Sequence, residues 1–201
     1  MEKSPTILAI DTSLGRGSVA VWQAGALTVE LCDDQNGQQS RTLLPMIESA
    51  LAQTNLTYAG LDAIAATLGP GGFTGIRVGL STARAITLVT GKPLIGLSTL
   101  EVIAFGSQAK NDVVAVIDAY RGQWYAQRFR MNGAMTPLSD ALLVDEKAKK
   151  ALAHGAKTVE ALPRAADVAA LAHDKWMRGE RQFPAAPLYI REPDAKLPVA
   201  H

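Results

Sequence analysis

The sequence predicts an α/β protein of two related lobes, the second shorter than the first. Three observations predict this. Over the first hundred residues the apolar stretches run strand, strand, strand, helix, strand, helix, strand. A unit of apolar strand, acid, short turn and second strand occurs twice, as Ile7–Asp11 with Gly17–Gln23 and as Val114–Asp118 with Gln123–Phe129. The repeat distance from Asp11 to Asp118 is 107 residues, which leaves about ninety for the second copy. The expected division is residues 1–108 for the first lobe and 109–201 for the second, with its tail.

The bulk numbers agree with a globular chain. Of 201 residues, 48% are hydrophobic and 19% charged, enough apolar material for a real core. The net charge of +1 argues against a protein whose own field captures nucleic acid. The single cysteine, Cys32, cannot form an internal disulfide and suggests a reducing compartment. The N-terminal apolar run is too short for a signal peptide, and no window approaches a membrane span, so a cytoplasmic location and no membrane partner are expected.

In chain order, Thr6–Asp11 reads as a buried strand ending in an acid, and Thr12–Arg16 as a turn. Gly17–Gln23 and Leu27–Asp33 read as antiparallel strands. Helix one is expected from about Thr42 to Gln53, with Thr42 as N-cap and Pro45 in the first turn, where its missing N–H costs little. Leu43, Leu44, Ile47 and Leu51 share a face, widened by Met46 and Ala50. Leu61–Leu68 is a fourth strand and Ile76–Val89 helix two. The apolar residues of helix two sweep about 220° at ~100° per residue, with Arg77, Ser81, Arg84 and Leu88 on the remaining side. One sheet needs a stripe little wider than ~100°, so this helix is expected to meet something on a second side. Gly75, Gly79 and Ala83 recur every four residues and would let another backbone come close. Lys92–Leu97 gives a fifth strand and Thr99–Ser107 a short helix. In the second lobe only Asp145–Leu152 and Ala165–Arg178 look helical. The tail from Pro184 is spaced by prolines, with Leu188–Ile190 as a strand-like anchor.

Between the fourth strand and helix two lies the sequence's densest motif, Gly69-Pro70-Gly71-Gly72-Phe73-Thr74-Gly75. Glycines there permit a sharp loop and close approach, and a strand, glycine-rich loop and helix can aim N–H groups at an anion. A plain strand-to-helix turn explains the spacing equally well. The known nucleotide loops fit poorly: Gly75 is followed by Ile76-Arg77 instead of Lys-Ser/Thr, and Thr74 stands where a dinucleotide fingerprint needs its last glycine.

The element order resembles the ribonuclease H-like lobes of the actin/Hsp70/sugar-kinase (actin-like ATPase) superfamily. More closely, the chain resembles the TsaB (YeaZ-type) family of tRNA threonylcarbamoyladenosine biosynthesis proteins. The residues that carry this are Ile10-Asp11-Thr12-Ser13, Ser40-Arg41-Thr42-Leu43-Leu44-Pro45, Gly69 to Gly79, Asp118-Ala119-Tyr120-Arg121-Gly122 and Pro187-Leu188-Tyr189-Ile190-Arg191. The sequence departs from the family at Gly72, where serine is usual, and near Gln39, where many members carry histidine. Its second lobe is also shorter.

The resemblance implies a non-catalytic scaffold that pairs with the catalytic paralogue TsaD. TsaD places threonylcarbamoyl on adenosine 37 of tRNAs reading codons that begin with A. It further implies the ATPase TsaE as a partner, self-association as a homodimer, and tRNA contact only through the complex. No cofactor is expected on this chain alone; ATP or ADP is expected only in the partner complex. By alignment, the paralogue's two metal histidines fall on Thr99 and Ile103, neither of which is an imidazole ligand, so no metal site and no catalytic residue are expected. Helices one and two supply the expected interface, from Leu43, Met46, Ile47, Ala50, Gly79, Ala83 and Ile86, with Arg77 and Arg84 at its rim. Asp11, Thr12, Gly71 and Gly72 form a candidate vestigial phosphate site. Two other readings compete. A nucleotide-dependent phosphotransferase would use Asp11 and the glycine-rich loop, but lacks a phosphate lysine. A peptidase would need a histidine to meet Asp11 or Ser13, and the three histidines, His154, His173 and His201, come late in the chain.

Overall fold

A computed structural model describes residues 4–34, 37–180 and 183–191. The first sheet contains β1 (Ile7–Asp11), β2 (Gly17–Gln23), β3 (Ala26–Asp33), β4 (Ala63–Thr67) and β5 (Leu94–Leu97), in the order β3-β2-β1-β4-β5. β1, β2 and β3 pair antiparallel, while β4 and β5 extend the sheet in parallel with β1. β1 and β4 are buried along their whole length, which is why they read as unbroken apolar runs.

Alternation along the strands feeds two separate cores. Leu8, Ile10, Val19, Val21, Ile64 and Ala66 face α1 (Gln39–Gln53) and α2 (Phe73–Thr90), and meet Leu43, Ile47, Leu51, Ala83 and Ile86 there. Ile7, Ala9, Ala20, Ala63, Ala65 and Ile95 point the other way, against Val168, Ala169, Leu171 and Ala172 of α5 (Ala165–Met177).

The second sheet contains β6 (Val113–Asp118), β7 (Gln123–Asn132), β8 (Ala134–Pro137), β9 (Leu142–Asp145) and β10 (Lys157–Glu160). β10 lies parallel to β6, and β6 antiparallel to β7; β8 and β9 pair with opposite ends of β7. α3 (Thr99–Gly106) covers one face through Leu100, Ile103 and Ala104. Leu152 of α4 (Glu146–Leu152) packs with Val114, Val116 and Ala126 on the other.

Several expectations need correction. The division at 108/109 separates the sheets but not the layers, because α5 belongs by packing to the first sheet. Its first turn is capped from there: the Ala165 N–H donates to Ser18 Oγ at 3.1 Å, and the Ala166 N–H donates to Glu30 Oε1 at 3.1 Å. Glu30 also pairs with Arg164. An α5 that left this sheet would leave those donors without partners and expose its alanine-rich face.

Helix one starts at Gln39, so Pro45 sits inside it and Thr42 is not its cap; the Thr42 hydroxyl instead donates back to Gln38 O at 3.2 Å. α2 starts at Phe73, inside the glycine-rich motif, and ends where Gly91 takes the left-handed conformation with its N–H on Thr87 O. Leu188–Ile190 forms no strand, and residues 192–201, including His201, lie outside the described residues.

Candidate functional site

Gly71, Gly72 and Gly75 bring the glycine-rich loop down onto the turn after β1. A Cβ on Gly75 would stand 2.0 Å from Thr12 O, and one on Gly79 would stand 2.3 Å from Thr12 Oγ1. The Gly72 N–H donates to Ser13 O at 2.8 Å, and the Thr12 hydroxyl donates to Gly75 O at 2.7 Å. Gly75 thus does admit a second backbone, but it is the chain's own turn, and Gly79 makes room for the Thr12 side chain.

Beneath this seal lies Asp11. Its Oδ1 accepts from Thr67 Oγ1 at 2.6 Å, Ser13 Oγ at 2.7 Å and Ser13 N at 3.2 Å, while the buried Oδ2 has no partner. Burial pushes its carboxyl above the usual aspartate range, against the lowering effect of the hydrogen bonds from Thr67 and Ser13. The four residues of the candidate phosphate site therefore divide. Asp11 and Thr12 are buried, and only Gly71 and Gly72 reach open space.

That space is a cleft of about 1050 Å³ between the lobes. Its first-lobe wall is the start of α1 at Gln39 and Ser40, with Gly71–Gly75 at the start of α2. Neither helix has a side-chain cap or an acid in its first turn; the Gly72 N–H is taken by Ser13 O and the Arg41 N–H by Gln38 O, and the positive dipole ends lie at the cleft wall. The opposite wall is the end of β6, from Val116 to Tyr120, with Tyr125, Leu162 and Arg191. Tyr120 and Arg121 take left-handed conformations (φ 61° and 59°), and Tyr120 is 76% exposed. Asp118 Oδ1 accepts from Tyr120 N at 2.7 Å, and Arg191 donates to Ala119 O at 2.7 Å and to Gln123 Oε1 at 2.5 Å, so the turn is held from two sides.

The residues expected at a partner interface are mostly buried. Leu43, Ile47, Ala50, Gly79, Ala83 and Ile86 are buried against the first sheet and cannot touch a partner in the folded chain; Met46 is half-buried beside them. On α2 the buried residues Ile76, Gly79, Leu80, Ala83 and Ile86 span only about 120° at ~100° per residue, an ordinary stripe. The excess apolar width comes from exposed Ala85, half-buried Val78 and Val89, which is 86% exposed; Leu88, 85% exposed, stands apart among Arg77, Arg84 and Ser81. α1 offers Leu44, 54% exposed, and exposed Pro45.

Sequence reasoning noted Leu88 among the polar residues but missed that it and Val89 stand open. An apolar residue between Arg84 and Ser81 on the helix wheel, Leu88, was the available signal. Arg77 and Arg84 are exposed, yet both are engaged within the chain, with Tyr189 and Ala185 respectively. Thr99 and Ile103 are buried in α3. Among the described residues no group of three metal-ligating side chains occurs. His173 lies at 3.1 Å from Ser4 Oγ and packs on Trp22, and the Ser13 hydroxyl is taken by Asp11, so no histidine–serine pairing forms at that turn.

The strand order, the repeated strand–acid–turn unit and the interlobe cleft define the class: a two-lobed α/β protein with two mixed sheets in a ribonuclease H-like arrangement. Residues 36–185 match the family model described as TsaD, tRNA N6-adenosine threonylcarbamoyltransferase. The chain is 39% identical over 124 residues to the tRNA threonylcarbamoyladenosine biosynthesis protein TsaB of Escherichia coli (strain K12), covering 59% of this chain and 52% of that one. An uncharacterised protein of Mycobacterium tuberculosis is 33% identical over 204 residues, 95% of this chain and 94% of its own. The solved structure of YeaZ from Pseudomonas aeruginosa superposes with a TM-score of 0.77 at 25% identity, covering 92% of this chain and 99% of that one. The chain belongs to the TsaB/YeaZ family. It spans about half the length of the Escherichia coli relative.

Proposed function

We propose that this chain is a non-catalytic scaffold subunit for threonylcarbamoyladenosine formation at position 37 of tRNAs reading codons that begin with A. In this reading it acts by pairing with a TsaD-type transferase through the outer face of α1 and α2. The observation that carries the reading is exposed apolar surface on these helices: Ala85, Leu88 and Val89 on α2 and Leu44 on α1, away from the stripes that pack on the sheet. Large exposed apolar residues on a helix face mark association surfaces. A non-catalytic role is supported by the sealed Asp11 and by Thr99 and Ile103 at the positions aligned with the paralogue's histidines. The same face serves homodimer formation when the partner is missing. TsaE and tRNA join through the complex, in the cytoplasm. No helix among the described residues is long and apolar enough to cross a membrane.

The cleft favours a companion reading. Two uncapped helix starts on one wall suit an anionic ligand, so ATP or ADP binds there once the partner closes the cleft.

The test uses Leu88→Glu with Val89→Glu, surface changes that leave the core intact. They should abolish co-elution with TsaD while thermal unfolding stays within a few degrees of the wild type. In a strain depleted of its own TsaB, the wild-type chain should restore threonylcarbamoyladenosine in bulk tRNA and the variant should not. Unchanged co-elution would remove the face assignment, and no rescue by the wild type with matched partners would remove the function.

A further inference from the structure

Pro184–Arg191 runs as a strap from the α5 side back across the first lobe, without forming helix or strand. Two glycines fix where it lies. A Cβ on Gly96 would stand 2.0 Å from Pro184 O, and one on Gly69 would stand 2.8 Å from Leu188 O. The Leu188 N–H donates to Leu68 O at 2.7 Å.

Next to each seat the strap touches the outer side of α2. Arg84 Nη2 donates to Ala185 O at 2.5 Å, and Arg77 Nε donates to the Tyr189 hydroxyl at 3.1 Å. The Tyr189 ring lies 5.4 Å from that of Phe73, which also carries the Arg77 guanidinium 3.7 Å from its centroid. On the helix wheel these positions adjoin Leu88 and Ser81, so the strap covers one flank of the face assigned above to the partner.

We propose that the strap is an intramolecular stand-in for the partner. In the free chain it occupies Phe73, Arg77 and Arg84, and it gives them up when a TsaD-type subunit docks on α1 and α2. The proposal rests on the functional reading above. The glycine seats make the strap's position specific. Its contacts to α2 are nevertheless replaceable: Tyr189 is 39% exposed and Phe73 is 42% exposed, and both arginine bonds lie at the surface, where water and salt compete. A partner that covers Leu88 and Val89 and offers acceptors to both arginines makes the same kinds of contact over a larger area. The free chain's affinity is then reduced by the fraction of molecules whose strap is closed.

Two measurements test this. Hydrogen exchange at the Leu188 amide, read on the full-length wild-type chain with and without saturating TsaD, should become faster in the complex. Exchange that slows or stays the same would overturn the proposal, because the strap would then be part of the interface or outside it. Calorimetric titration of TsaD into Tyr189→Ala should show binding about 3- to 10-fold tighter than wild type; equal or weaker binding overturns it. A variant that binds where the wild type does not supports it strongly. Absence of any complex with either chain overturns the functional reading, and this proposal with it.

Discussion

The two copies of the strand–acid–turn unit share a local design and differ in everything around it. In each, one carboxylate oxygen accepts from the backbone N–H two residues on: Asp11 from Ser13 and Asp118 from Tyr120. Asp11 then disappears under the glycine-rich loop, where its second oxygen finds no partner. Asp118 stays exposed at the cleft, and its turn is held open by Arg191. The difference lies in the chain segment packed over each turn. The first unit is overlaid by Gly71–Gly75, which glycine allows to come within contact of a carbonyl. The second has no such loop, so its turn remains a surface feature and keeps an exposed tyrosine in a left-handed conformation that ordinarily costs about 1–2 kcal/mol. An acid thus becomes structural or accessible according to its cover.

The largest effect should come from breaking the seal. Gly75→Ala places a methyl 2.0 Å from the Thr12 carbonyl, which is backbone and cannot swing aside, so destabilisation of about 3 kcal/mol is expected in urea denaturation. The matching change in the second unit is Gly122→Ala. Nothing stands within 4 Å of the added Cβ there, and only the positive φ of 73° opposes it. It should cost about 1 kcal/mol, and equal losses at the two sites would remove the contrast between seal and open turn.

The acids themselves give the smallest effects and the sharpest distinction. Asp11 has a native pKa above its ordinary 3.8, because burial outweighs its hydrogen bonds. The native state therefore holds its proton more tightly than the unfolded chain does. Its contribution to stability is full below pH 3.8, falls as pH rises through the native value, and stays low above it. Asp11→Asn keeps an oxygen for the three donors and removes the charge. It should be more stable than wild type at neutral pH, with the advantage vanishing in acid. Asp118→Asn should change stability by less than about 0.5 kcal/mol, as an exposed surface change does. A flat pH profile for the Asp11 pair would mean that the carboxylate is satisfied in the native state.

Much of this was legible in the residues. Strands with unbroken apolar runs announced a sheet covered on both faces, and the repeated acid announced the two lobes. What the sequence could not resolve was which of two apolar surfaces on α2 faced inward. Ala83 and Ile86 have the same character as Ala85 and Val89, and only their packing on Leu8, Ile10 and Ile64 sorts them. The role of the glycines was ambiguous for a similar reason. Spacing shows that something comes close to Gly75 and Gly79, but not what, and it is the Thr12 carbonyl at the first and the Thr12 side chain at the second. α5 is recognisable as a helix, but β1, β2 and β3, on which it packs, lie more than a hundred residues earlier, a relation that no local pattern carries. The strap was read as a surface tail because its contacts are single side chains and one backbone hydrogen bond, with no periodicity to reveal them.

The long reach of α5 also sets a timetable for the newborn chain. All five strands of the first sheet have been made once Leu97 is out, yet the face formed by Ile7, Ala9, Ala20, Ala63, Ala65 and Ile95 stays bare until Ala165–Met177 arrives. At ~5–20 residues per second, the roughly seventy intervening residues leave that face uncovered on the ribosome for about 4–14 s. During synthesis this sheet is therefore a natural client for a chaperone, and a chain released before α5 would have nothing with which to close it.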